Sequence, residues 1–102
     1  VSSAAIRLEG GILHVSGELT FATVTPLLRQ SHPLFAQAGE HITVELGEVA
    51  RADSAGLALL IEWMRQARAQ GRSIHFSHLP EQLLAIANAS DLDAILPLTA
   101  PQ

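Results

Sequence analysis

The sequence predicts an α/β domain: a mixed sheet of four to five strands with helices packed mainly on one face. Three observations carry this. Runs of strict apolar/polar alternation, the period of a half-buried strand, take turns along the chain with runs of helical apolar spacing. The order reads β-β-α-β-α-β-α with a short tail, so the later strands must pair in parallel through helical crossovers. The strands also alternate apolar with polar residues, whereas strands covered on both faces are almost continuously apolar, so one sheet face should be partly solvated. The 102 residues suit a single domain, 1–102, with 1–4 and 98–102 expected to fray.

Each element follows in turn. Ile6 to Glu9 and Ile12 to Leu19 alternate on either side of Gly10-Gly11, the pattern of a β-hairpin. In the second run Leu13, Val15 and Leu19 share one face, and His14, Ser16 and Glu18 share the other. In TFATVTPLLRQSHPLFAQAG, Phe21, Val24, Leu27 or Leu28, and Phe35 recur at helical spacing, with Thr20 as N-cap and Gly39 as the stop. Pro26 and Pro33 make this helix irregular, and Pro26 is an alternative start. His41 to Leu46 is a strand with Ile42, Val44 and Leu46 on one side. Ser73 to Ser77 is a short strand with Ile74 and Phe76 facing in. Pro80 opens a helix with Leu83, Leu84 and Ala87 on its buried side, ending across Asn88 to Asp91. LDAILPL is a last short strand or turn.

Composition excludes several classes of function. Without cysteine there is no disulfide, thiolate chemistry or zinc–cysteine site. A formal charge of −4 with six Lys plus Arg argues against nucleic acid as a partner. No apolar run approaches the roughly 20 residues that span a bilayer, and the N-terminus lacks the charged-then-apolar order of a signal peptide, so a cytoplasmic protein without membrane insertion is expected. Three Phe, one Trp and no Tyr give no aromatic platform for bases or sugars. His14, His32, His41, His75 and His78 lack the spacing of a metal site, and Gly10-Gly11 lacks the Lys-Ser/Thr sequel of a phosphate loop, so no cofactor is expected.

The stretch ARADSAGLALLIEWMRQARAQG carries the functional interest. A helix from Asp53 to Gly71 places Leu57, Leu60, Ile61, Met64 and Ala67 on the arc facing the sheet. Ala55, Ala58, Glu62, Gln66 and Ala69 lie opposite, and Leu59 and Trp63 form a shoulder suited to a neighbouring helix or a partner. Arg65, Arg68 and Arg72 suit the negative end of the helix dipole. At the start, Asp53 or Ser54 suffices as a cap, which leaves the second polar residue unexplained. A helix start also tolerates a phosphate, although Asp53 would oppose its charge. ADSAG is not a nucleophile elbow, and no base is marked out for Ser54, so catalysis is not expected.

These residues resemble the signature of STAS domains. Asp53, Ser54, Gly56 and Leu57 fill the family's Asp-Ser/Thr-x-Gly-Leu/Ile positions, and VSGELTFATVTPLL resembles its Gly-Glu-Leu segment, with Thr20 where aspartate is common. The resemblance implies a STAS-like fold and a protein that binds and regulates. It divides two ways. In anti-sigma factor antagonists the serine at the Ser54 position is phosphorylated by a partner kinase, the anti-sigma factor. In the small STAS subunit of the Mla phospholipid transporter (the MlaB type), it sits against the cytoplasmic ATPase of an ABC transporter that maintains outer-membrane lipid asymmetry in Gram-negative bacteria. The run GLALLIEWMRQARAQG and the ending LPEQLLAIANASDLDAILPL are more similar to the second. The leading expectation is therefore an ABC transporter ATPase as partner, peripheral to the inner membrane, bound through Asp53, Ser54, Ala55, Ala58, Leu59 and Glu62. The alternative is an antagonist controlled by phosphorylation of Ser54.

Overall fold

Gly10 and Gly11 both take positive φ, 60° and 78°, the backbone a two-residue hairpin turn requires. They fold strand β1 (Ala4–Glu9) antiparallel onto β2 (Ile12–Leu19). The computed structural model describes residues 3–92, 94, 96 and 97. Among these the chain continues through α1 (Val24–Gln37), β3 (His41–Ala52), α2 (Ser54–Ala69), β4 (Ser73–Ser77) and α3 (Glu81–Ala89). The sheet order is β1-β2-β3-β4, with β2/β3 and β3/β4 parallel. Both parallel steps run in the same direction across the sheet. Right-handed crossovers then place α1 and α2 on the same face.

That face holds the core. Leu13, Val15 and Leu19 of β2, Ile42, Val44 and Leu46 of β3, and Ile74 and Phe76 of β4 are buried there. The other face carries the polar half of the alternation, with Arg7, His14, Glu45 and Ser77 in one row across the four strands. At the N-terminal end β1 begins at Ala4, and Ser3 O accepts from Glu18 N at 2.8 Å. Gly17, at φ 90°, permits this approach: a Cβ there would lie 2.4 Å from Ser3 O. Residues 1, 2 and 98–102 lie outside the described residues, as do 93 and 95 of the expected last element. Pro97 O accepts from Phe76 N at 2.9 Å, on the outer side of β4.

The helices depart from the sequence expectation in instructive ways. α1 begins at Val24, with Thr23 rather than Thr20 at the cap position. The Thr23 hydroxyl donates to Glu18 O at 2.6 Å and accepts from Thr20 N at 2.9 Å, a local turn that competes with helix and delays its start. Phe21 therefore falls outside the helix and is 82% exposed. In α2, Ile61 and Met64 are only half-buried, while the shoulder residues Leu59 and Trp63 are buried. Burial of side chains this large contributes about 1.5–3 kcal/mol each. Trp63 packs against Phe35 of α1 with ring centroids 5.9 Å apart, and its Nε1 donates to Ser31 Oγ at 2.9 Å. Ala55, placed on the outward arc, is 8% exposed. In α3, Leu84 faces solvent and leaves burial to Leu83 and Ala87. Arg72 does more than complement a dipole: its Nη1 donates to Phe35 O in the last turn of α1.

Candidate functional site

The end of β3 runs directly into α2, and three residues divide the work at this junction. Asp53 is extended, with φ −127° and ψ −168°, and its Oδ1 accepts from Ala55 N at 2.8 Å, the geometry of an N-cap. Its own N–H donates to Leu19 O on β2 at 3.0 Å. Gly56 lets the first helical turn lie on that strand, because a Cβ there would sit 2.9 Å from both Leu19 Cβ and Leu19 O. Ser54 is thereby left over. It is the first residue of α2, exposed, and its hydroxyl has no hydrogen-bond partner among the described residues. The polar residue that capping did not explain is thus the serine.

Ser54 stands at the mouth of a groove of about 480 Å³ between the starts of α1 and α2. Phe21, Val24, Thr25 and Leu28 form one wall; Ser54, Ala55, Ala58, Leu59 and Glu62 form the other. Five of the six residues expected at a partner surface therefore line one groove, and Asp53 supports it as the cap. The α1 wall was not foreseen. Helical spacing alone puts Phe21 in the stripe of α1, and the signal against it is the threonine pair at 20 and 23.

The groove is apolar, and among the described residues Glu62 is the only acidic or basic one in its lining. Hydrogen bonds from Arg65, first, and Gln66 hold the Glu62 carboxyl well below its usual range, at about 2. Gln66 also meets His32 of α1 at 3.3 Å, so a solvent-exposed polar network borders the groove at Glu62. No imidazole lines the groove to serve Ser54 as a base. Among the described residues no group of three His, Asp or Glu could hold a metal ion, and no helix is long and apolar enough to cross a membrane.

Comparison with known proteins adds to this geometry. A family model described as "Mlab, STAS domain" matches residues 2–98. The anti-sigma-B factor antagonist of Bacillus subtilis (strain 168) is 25% identical over 88 residues, which cover 86% of this chain and 80% of that protein. A Thermotoga maritima structure described as that of a "putative anti-sigma factor antagonist" superposes with a TM-score of 0.72 at 15% identity, covering 92% of this chain and 83% of that one. The anti-sigma factor antagonist SpoIIAA in its unphosphorylated form gives 0.71 at 18%, covering 95% and 90%. At these identities the two structures speak to the fold, which they share with this chain.

Proposed function

The chain belongs to the STAS domain family, and on that premise we propose that it is a non-enzymatic regulatory domain of the anti-sigma factor antagonist type, switched by phosphorylation of Ser54. The observation that carries this reading is the division of labour at the start of α2. Asp53 caps, Gly56 packs, and the Ser54 hydroxyl remains exposed and uncommitted beside an apolar groove. The Bacillus subtilis relative supports the same class. A phosphate on Ser54 would add a charge of about −1.5 to −2 at pH 7. It would enter a groove whose ionised side chain is already a carboxylate, with the Asp53 carboxylate adjacent. The unmodified groove accepts an apolar partner surface; the phosphorylated one repels it through desolvation cost and like charge.

The test is incubation with an anti-sigma factor kinase and ATP, read by intact mass. One phosphate should be gained by the wild type and none by Ser54→Ala. A phosphate on Ser54→Ala, or none on the wild type, counts against the switch.

A second reading places the same groove against the cytoplasmic ATPase of a phospholipid ABC transporter, with this chain peripheral to the inner membrane. It is favoured by the description of the matching family model. Here Ser54 serves as a small contact residue with no phosphate required. Co-purification with a transporter ATPase, abolished by Ser54→Arg and unaffected by kinase treatment, would select it over the first.

A further inference from the structure

β3 outruns its neighbour. Its pairing with β4 ends at Glu45 opposite Ser77, yet the strand continues to Ala52 with only β2 alongside. Backbone N–H groups on the far side of this overhang need other partners. Two side chains supply them. Glu45 Oε1 accepts from Gly47 N at 2.6 Å, and Gln82 Oε1, in the first turn of α3, accepts from Ala52 N at 2.7 Å. Gln82 thus does at Ala52 what a longer β4 would have done.

The location of this bond gives it consequence. Ala52 immediately precedes the Asp53 cap. On the next peptide Asp53 N donates the other way, to Leu19 O at 3.0 Å. The strand end is therefore held from both sides just before Ser54. The residue after Gln82 extends the grip: Leu83 is fully buried, with its Cδ2 3.3 Å from where a Cβ on Gly56 would lie.

From these contacts we infer that Gln82 is a positioning residue for Ser54. Through it, α3 clamps the β3–α2 junction and fixes the direction in which the serine is presented. The inference rests on the reading of Ser54 as the residue a partner recognises. It adds that α3, which contributes no residue to the groove lining, sets the geometry of that recognition. Gln82 is solvent-exposed apart from its bonded amide, so changing it leaves the core intact.

The test needs no partner, so its failure is distinguishable from failure of the docking reading. Gln82→Met removes the acceptor at similar size; Gln82→Glu keeps one. Amide exchange at Ala52 and through Leu57 should accelerate about tenfold in Gln82→Met, the effect of losing one hydrogen bond. Amides of α1 and β1 should not change, and Gln82→Glu should restore protection at Ala52. Because the chain has no cysteine, Ser54→Cys introduces a single thiol whose titration reports the helix start directly. Adding Gln82→Met should raise the pKa of that thiol toward the ordinary cysteine value. Unchanged exchange at Ala52 to Leu57, or uniform acceleration across the domain with the thiol pKa unmoved, would overturn the clamp.

Discussion

Alanine in place of a helical glycine ordinarily stabilises a protein, by about 0.4–1 kcal/mol where the backbone allows it. Gly56→Ala should do the opposite. The new Cβ would lie 2.9 Å from Leu19 Cβ and 2.9 Å from Leu19 O, with Leu83 Cδ2 at 3.3 Å. The leucine methyl can rotate away. Leu19 O cannot: it belongs to a paired strand, and it accepts the Asp53 N–H at 3.0 Å. Relief requires α2 to lift off β2 at its first turn. Overpacking of this kind costs about 1–3 kcal/mol. Weakening the Asp53–Leu19 bond adds about 0.5–1.5 kcal/mol. Less the helix-propensity gain, the net is a destabilisation of about 0.5–4 kcal/mol, or roughly 2–30 °C in Tm for a domain of this size. Urea and thermal unfolding followed through Trp63, the single tryptophan and fully buried, would measure it. A Tm equal to or above wild type would refute the argument that the glycine exists for close packing at the site.

Two other expectations follow from the groove. Phe21→Ser should change stability by no more than about 0.5 kcal/mol, since the ring is exposed, yet weaken partner binding by tenfold or more; titration calorimetry beside a melting curve separates the two. Glu62 should titrate at about 2 rather than at its ordinary 4.5 in a carboxyl NMR titration. Because its folded-state pKa is depressed, it adds stability above pH 4.5, and that contribution is lost as pH falls through about 2. Arg65→Ala, which removes the leading cause, should move the midpoint upward; a wild-type midpoint near 4.5 would contradict the network around Glu62.

Periodicity made most of the fold legible. β4 spans Ser73 to Ser77 as its alternation and flanking Gly71 indicate, and the hairpin at Gly10-Gly11 was written in residue types that accept positive φ. The alternating strands also revealed the one-sided sheet. What periodicity misses is competition and tertiary override. Thr23 has the composition of a cap, but its hydroxyl is spent on Glu18 and Thr20, which turns Phe21 outward. Trp63 and Leu59 sat on a shoulder by helical geometry, and only the approach of α1 buried them. β3 extends from Leu46 to Ala52 through residues with little alternation, because β2 and Gln82 satisfy its backbone. The α2 side of the groove was legible because Asp53 and Ser54 are two polar residues at a helix start that needs only one cap. The α1 side was not, since no local pattern states that two helix starts converge.

The central claim is that the groove beside Ser54 is where a partner protein binds. Its most direct test is the affinity of the isolated partner for wild type, Ser54→Ala and Ser54→Arg, each first shown to be folded by its Trp63 fluorescence and melting curve. Ser54→Ala should bind within a few-fold of wild type, because the hydroxyl holds up nothing in the fold. Ser54→Arg should lose about 100-fold or more, as a long side chain projecting over an apolar groove sterically excludes the partner. Wild-type affinity in a correctly folded Ser54→Arg protein would contradict the account.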